Sequence, residues 1–195
     1  MSSASDVIAV TITADILAAD DNGISTDAAV GNNAALTIAG ALADGGSVTL
    51  SNARKVTITS AGDDSGISFT IVGTDINGTA QTESVSGVDT GAATSSKLFL
   101  TIASITAVGD PAANVKAGIS ADSSSIVYSG RSRLKGVFLT STATAGTVDF
   151  LNTSTAGTSL MKISSVASAT ATRDVVIPEN GVLFTDGIYI QYTVS

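Results

Sequence analysis

Three aspartates of this sequence could supply oxygen ligands to a calcium ion. Asp63 and Asp64 stand in an acidic, glycine-flanked stretch at residues 62–66, and Asp75 follows eleven positions after Asp64. Calcium needs several oxygen ligands from closely spaced loops. Aspartates in turns more commonly accept hydrogen bonds from nearby main-chain N–H groups. We therefore interpret the three as turn residues and assign no metal ligand to them.

A second acidic run, Asp20-Asp21-Asn22-Gly23, also resembles part of a calcium loop. It lacks the alternating ligand spacing of an EF-hand, and no glutamate stands at the position that closes such a loop. The same interpretation applies, and the run is not assigned as a metal site.

Glu83 and Glu179 are the two glutamates, and glycoside hydrolysis would need two carboxylates across one cleft. The residue pattern places Glu83 on a strand in the first half of the chain. It places Glu179 in a turn of the second half, directly after Pro178. We expect an outward-facing strand residue and a turn residue, and no catalytic pair.

The composition excludes several kinds of active site. The chain has no cysteine and no histidine, which rules out disulfides, Cys–His zinc sites and histidine-based nucleophilic triads. The glycines at 87 and 91 belong to no phosphate-binding motif, and no helix is expected after them. We predict that the chain is not an enzyme, with no catalytic residue, cofactor-binding residue or metal ligand, and with no cofactor.

Few aromatic side chains are present to stack against a sugar. The sequence has no tryptophan and three tyrosines, Tyr128, Tyr189 and Tyr192. On a regular strand Tyr189 and Tyr192 face opposite sides, because side chains alternate along a strand. An aromatic sugar-binding platform built from these two residues is therefore not expected.

The charge is distributed unevenly along the chain. Residues 1–125 carry thirteen acidic and four basic side chains, a net charge of −9, and residues 126–195 carry four acidic and five basic ones, a net charge of +1. An acidic chain repels phosphate backbones, so we expect no nucleic-acid partner. Every second position from Arg131 to Lys135 is basic: Arg131, Arg133 and Lys135. On a strand these side chains would lie on one face and should form one solvated stripe.

A membrane location is also not expected. The mean hydropathy is +0.40, but no uninterrupted apolar stretch is long enough to cross a bilayer. The first residues have no basic region and are interrupted by Asp6 and Asp15, which does not fit a signal peptide.

Alternation of apolar and polar residues predicts strands throughout the chain. The clearest stretches are KVTITS, ISFTIVG, QTESVS, LFLTI, LKGVFL and the terminal IYIQYTV. Turn sequences separate them: residues 43–46, residues 62–66, Asn77-Gly78 and residues 179–181. Residues 25–35 are the best place for a helix, and we expect a short helix or a loop there.

The elements should form an all-β protein with two small antiparallel β-sandwich or barrel-like domains and an N-terminal arm or extra strands. Residues 120–125 have the composition of a polar linker. We therefore divide the chain into a leading segment at 1–33, an N-terminal domain at 34–122 and a C-terminal domain at 131–195. In the leading segment, VIAVTIT and ILAA are either strands or part of an arm that orders against a neighbouring subunit.

Two stretches resemble β-rich modules of structural proteins of tailed bacteriophages, especially marine and cyanobacterial phages. The first covers residues 53–120, with ARKVTITSAGDDSGISFTIVGTDINGTAQTESVSG, KLFLTIASITAVG and ANVKAGIS; the second covers 133–194, with LKGVFLTSTATAGTVDFLN and IPENGVLF. Such modules occur in capsid decoration proteins, head fibres and tail-associated proteins. The resemblance implies a setting, the virion, and transfers no functional residue.

The expected function is therefore structural: a virion protein that decorates or stabilises the exterior of a phage capsid. Its partner would be the major capsid protein or another virion protein, and it would act as a homo-oligomer, with a trimer favoured. The alternatives are a tail- or fibre-associated protein that recognises a bacterial surface glycan, and a free secreted or surface-layer binding module.

Overall fold

A computed structural model describes Ala9 and residues 19–141, 145–152, 157–167 and 171–194 of the chain. The described residues form β-strands and contain no helix, so the all-β prediction is confirmed. The strands pair into several antiparallel sheets without closing into a barrel. In chain order they are β1 (Asp20–Ala28), β2 (Ala43–Asp44), β3 (Ser47–Asp63), β4 (Ser68–Thr74), β5 (Ala80–Ser86), β6 (Asp89–Thr94), β7 (Phe99–Val108), β8 (Val115–Ser129), β9 (Ser132–Leu134), β10 (Gly136–Ser141), β11 (Gly146–Asn152), β12 (Ser159–Ser165), β13 (Ala171–Val176), β14 (Val182–Phe184) and β15 (Gly187–Val194).

The expected turns lie between these strands. Of the expected turn at 43–46, residues 43 and 44 form strand β2, and Gly45 and Gly46 separate it from β3 with the positive φ angles that a tight hairpin requires. Asn77-Gly78 joins β4 to β5, with Gly78 at a φ of 78°. Local turn chemistry therefore sets where these hairpins reverse.

One large sheet surrounds the first hydrophobic core. Its strand order is β12-β11-β15-β8-β3-β7-β4-β5. In addition, β1 pairs with β8, and β2 and β6 both pair with β3. Strands from both ends of the N-terminal part contribute buried residues, Ile24 from β1 and Val85 from β5, so the sheet curls around this core. The other buried apolar residues of the core come from the loop before β2 and from β3, β4, β6, β7 and β8: Leu36, Ile38, Val48, Leu50, Val56, Ile58, Phe69, Ile71, Ala93, Phe99, Ile102, Ile105, Ala107, Val115, Ala117 and Ile119.

Strand β3 changes its neighbour partway along its length. Its first residues pair with β7, and beyond a register shift between Thr49 and Arg54 its later residues pair with β6 on that side. Arg54 lies at the shift and is 1% exposed, and its guanidinium donates a hydrogen bond to the carbonyl of Ser120 on β8. A buried guanidinium is stabilised by such acceptors, because an unpaired charge in this place would be costly.

Strand β8 runs without interruption from the first core to the second. Ala117 and Ile119 pair with β1 and β3, and residues further along pair with β15, which takes the place of β1 on the same edge. The interpretation of residues 120–125 as a linker is therefore wrong: they lie inside a fifteen-residue strand. Two neighbouring strands supply hydrogen-bonding partners there, which allows a polar sequence to be extended.

The second core lies between the β8–β15–β11–β12 part of the large sheet and two small ribbons, β10–β13 and β9–β14. Val137, Leu139 and Val175 cover it from one ribbon, and Leu134 and Val182 cover it from the other. The buried residues that they cover are Val148, Phe150, Ile163, Phe184, Ile188, Ile190 and Tyr192. All residues of this cluster follow residue 126, and all residues of the first cluster precede residue 120.

The leading part of the chain differs in one respect from the expectation. Residues 25–28 belong to strand β1, which was not expected, and residues 29–34 form a loop with a turn, so of the two expected alternatives, a short helix or a loop, the described chain has the loop. Ala35 instead forms an isolated bridge with Thr106 of β7. Apart from Ala9 and Ala19, the stretches VIAVTIT and ILAA lie outside the described residues.

Candidate functional site

Asp63 holds the turn between β3 and β4. Its carboxylate accepts hydrogen bonds from the main-chain N–H of Ser65, at 3.0 Å, and from the Ser65 hydroxyl, at 2.6 Å. These two bonds favour the ionised form and lower the pKa of Asp63 below its ordinary value of 3.8. The side chain therefore has the turn role that its type and position suggest.

Asp64, the next residue, is buried. Its side chain is 2% exposed, and Oδ1 accepts a hydrogen bond from the main-chain N–H of Ala112 at 2.8 Å. Its main-chain N–H donates a hydrogen bond to the carbonyl of Val88, and its main-chain carbonyl accepts one from the N–H of Ile67. Oδ2 has no hydrogen-bond partner among the described residues. Asp64 thus connects the β3–β4 turn to the segments that precede β6 and β8.

Asp75 lies at the other end of β4. Its carboxylate accepts hydrogen bonds from the N–H groups of Asn77 and Thr79, both at 2.8 Å. The seven residues of β4 separate it from Asp64, a distance of roughly 20 Å at the usual rise per residue. The three aspartates do not converge, and the described part of the chain holds no cluster of three acidic residues that could bind a metal ion.

The run Asp20-Asp21-Asn22-Gly23 lies in strand β1. Asp20 accepts a hydrogen bond from the N–H of Asn22 at 3.2 Å, and Asp21 forms an ion pair with Lys116 of β8. Hydrogen bonding to Asp21 raises the pKa of Lys116, because it stabilises the charged ammonium group. The Asp21–Lys116 ion pair thus joins β1 to its neighbouring strand β8, whereas the Asp20 carboxylate bonds within β1.

The two glutamates belong to different parts of the fold. Glu83 on β5 accepts hydrogen bonds from the N–H groups of Ser96 and Lys97, at 2.6 and 2.9 Å, and so anchors the β6–β7 connection. Glu179 stands in the turn after β13 with a φ of 54°, and its carbonyl accepts a hydrogen bond from Lys135. The structure places one beside the first core and the other beside the second.

The terminal tyrosines follow the alternation of β15. Tyr192 is buried in the second core, and its hydroxyl lies 3.1 Å from the hydroxyl of Ser165. Tyr189 precedes Tyr192 by three residues, so alternation along the strand puts it on the other face, and it is only half-buried. The prediction that these two rings face opposite sides of the strand agrees with this arrangement.

The basic stripe is exposed, as its spacing suggests. Arg131, Arg133 and Lys135 are all exposed, around strand β9. Arg133 and Lys135 donate to the carbonyls of Asn180 and Glu179, at 3.2 and 3.0 Å. The stripe thus lies beside the turn that follows β13.

Exposed apolar side chains were not identified from the sequence. Phe138 on β10 is 69% exposed and Val176 on β13 is 76% exposed. The alternation in LKGVFL contained the necessary information: if Val137 and Leu139 face a core, Phe138 must face outward. In the N-terminal half of the chain, Val88 and Val108 are also exposed.

The described residues include no helix with the length and apolar composition that a membrane span requires. Comparison of the chain with protein-family models, with curated proteins and with solved structures gave no match.

Proposed function

We propose that this chain is a non-enzymatic structural protein of a bacteriophage virion, which decorates or stabilises the exterior of the capsid. The observation that carries the proposal is how its acidic groups are used. Asp63, Asp64, Asp75 and Glu83 each accept hydrogen bonds from main-chain N–H groups and hold turns or connections in place. Carboxylates that bond to main-chain N–H groups in this way stabilise the turns and connections of a rigid framework.

The unbroken strand β8 supports the same function. It passes through both cores, so the two halves are joined by main-chain hydrogen bonds on a shared strand. A protein that binds an assembled shell stabilises it by favouring the assembled state, and a stiff module loses little entropy when it binds. The resemblance of residues 53–120 and 133–194 to phage modules supports the virion as the setting.

The partner in this proposal is the major capsid protein or another virion protein, and the chain acts as a homo-oligomer. Mass spectrometry of purified phage particles tests the first part, because a virion protein must copurify with them. Hundreds of copies per particle would agree with decoration of the capsid. Three, six or twelve copies would place the protein at a portal or a tail and contradict capsid decoration.

A deletion experiment tests the stabilising role. Particles that lack the protein should lose infectivity faster on heating or osmotic shock, and they should adsorb to host cells normally. Loss of adsorption with unchanged heat resistance would contradict the proposal and favour recognition of a host surface glycan instead.

A further inference from the structure

Three asparagines of this chain directly precede a glycine: Asn22, Asn77 and Asn180. An asparagine in this position can lose its side-chain amide without a catalyst, because the main-chain nitrogen that attacks the side-chain carbonyl carbon belongs to the next residue of the same chain. Glycine favours the reaction, since it has no side chain to block the approach and adopts conformations that other residues avoid. The fold places the three pairs in different surroundings, which allows their reactivities to be ranked.

Asn77 and Gly78 form the tip of the β4–β5 hairpin, and both are exposed. No atom beyond the two adjacent residues lies within 4 Å of a β-carbon built on Gly78. The side-chain amide of Asn77 makes no hydrogen bond to a described residue. This pair therefore has room to rearrange.

The hydrogen bonds of this tip are short-range. The N–H of Gly78 donates to the carbonyl of Asp75 at 3.0 Å, and the N–H of Asn77 donates to the Asp75 carboxylate at 2.8 Å. Asp75 and Thr79 close the loop through bonds of 2.9 and 2.8 Å. All of these bonds lie within residues 75–79, so the tip can open while β4 and β5 stay paired.

Asn22 and Gly23 lie inside strand β1 and are held by a distant part of the chain. The carbonyl of Gly23 accepts a hydrogen bond from the N–H of Leu42 at 2.7 Å, and the carbonyl of Ile24 accepts one from Gly40 at 3.0 Å. Gly23 itself is buried. Rearrangement of this main chain would require β1 to leave its neighbours.

Asn180 and Gly181 lie in the turn after β13, against strand β9. The carbonyl of Asn180 accepts a hydrogen bond from Arg133 at 3.2 Å, and Lys135 donates one to the preceding carbonyl at 3.0 Å. A β-carbon built on Gly181 would stand 2.3 Å from the main-chain oxygen of Leu134. This turn is closely packed, and its rearrangement would break contacts with another strand.

We propose that Asn77 is a site of spontaneous deamidation in the folded protein, and that the fold protects Asn22 and Asn180. Hydroxide removes the N–H proton of Gly78, and the nitrogen forms a bond to the side-chain carbonyl carbon of Asn77. The bond from that carbon to the amide nitrogen breaks, and ammonia leaves after taking a proton from water. Water then opens the cyclic imide at either carbonyl, which yields aspartate or isoaspartate.

Both products place a second carboxylate close to that of Asp75. Each conversion adds one negative charge to a chain whose formal net charge is −8, and like charges in one turn repel each other. Isoaspartate also routes the main chain through the former side chain, which lengthens a loop whose hydrogen bonds fit its present length. Both products should therefore weaken the turn between β4 and β5, the strand pair at one end of the sheet. The reaction needs only water and does not depend on the proposed function.

Peptide mapping by mass spectrometry tests the proposal on the full chain, incubated at mildly alkaline pH below its unfolding temperature. In the folded protein Asn77 should convert at least about tenfold faster than Asn22 or Asn180, which corresponds to an opening cost of about 1.4 kcal/mol or more at the protected pairs. In the chain unfolded by urea the three rates should be similar, because the reacting groups are the same. Equal rates in the folded protein, or a preference for Asn77 that persists in urea, would overturn the proposal.

The products and one variant test the chemical route. Isoaspartate and aspartate should both appear at position 77, and the rate should rise with pH, because the attacking nitrogen must first lose its proton. Aspartate alone would indicate direct hydrolysis of the amide and contradict the imide. Asn77→Gln should abolish conversion at this position, since its longer side chain must close a larger ring, and should leave the slow rates at Asn22 and Asn180 unchanged.

A second variant tests the protection of Asn180. The double substitution Arg133→Ala, Lys135→Ala removes the side-chain hydrogen bonds to the turn at 179–180. It should speed conversion of Asn180 severalfold and leave the rate at Asn77 as in the wild type. An unchanged rate at Asn180 in the double variant, with its circular dichroism spectrum like that of the wild type, would contradict protection by these contacts.

Discussion

Asp64 on the β3–β4 turn accepts a hydrogen bond from the main-chain N–H of Ala112 at 2.8 Å, across 48 positions of sequence. This bond joins a tight turn to the loop that leads into β8; Asp64 is buried, whereas Ala112 is exposed. Hydrogen bonds contribute about 0.5–3 kcal/mol to stability, with the larger values when one partner is charged.

The variant Asp64→Ala should therefore lower the free energy of unfolding by about 1–3 kcal/mol. Urea denaturation monitored by circular dichroism measures the effect. Asp64→Asn is the control, because its side-chain carbonyl can still accept the bond from Ala112, and it should lose less. Equal losses for the two variants would contradict a role for this hydrogen bond.

The shared strand β8 predicts that both cores unfold together. A polar linker at 120–125 would allow two separate thermal transitions, whereas a continuous strand with pairing on both sides couples them. Differential scanning calorimetry should show a single transition in which the calorimetric and van't Hoff enthalpies agree. Two resolved transitions would show that the second core unfolds independently.

Gly73 lies at a register shift between β4 and β7, against the main chain of Thr101. A β-carbon there would overlap the main-chain carbonyl oxygen of Thr101, which cannot move without disturbing the ladder. Gly73→Ala should destabilise the fold by about 1–3 kcal/mol or more. Gly66→Ala is the control, since no atom beyond the two adjacent residues lies within 4 Å of the added carbon; its unfolding midpoint should change little or rise. Thermal denaturation compares the two.

The Asp63 turn predicts a defined pH dependence. Its hydrogen bonds to Ser65 lower the pKa in the folded state relative to the unfolded value near 3.8. The contribution is therefore present above pH 3.8 and is lost as the pH falls through the lower, folded-state pKa. The stability difference between the wild type and Asp63→Asn should be constant near neutral pH and should shrink in acid. A difference that persists unchanged in acid would show that ionised Asp63 does not hold the turn.

Much of the fold could be predicted from local patterns. Strands such as KVTITS, ISFTIVG and IYIQYTV alternate cleanly, and glycine and asparagine mark the turns between them because they tolerate the positive φ angles that tight turns require. The turn roles of Asp63 and Asp75 were predictable for the same reason, because each bonds to main-chain groups within four residues.

Long-range pairing could not be predicted in this way. Residues 120–125 have a linker's composition, yet they extend because β3 and β15 provide partners from distant parts of the chain. Residues 25–28 join β1 for the same reason, since β8 offers them a pairing edge. In both cases the hydrogen bonds that stabilise the strand come from neighbours that are close only in the folded molecule.

By itself the sequence determined the strand class, the hairpin positions and the uneven charge, because alternation, turn residues and residue types act over a few positions. Only the tertiary structure decided that one strand serves two cores, that Asp64 reaches Ala112, and that Phe138 and Val176 lie side by side in solvent. These relationships depend on which strands pair and in what register, and that is a property of the whole packed chain.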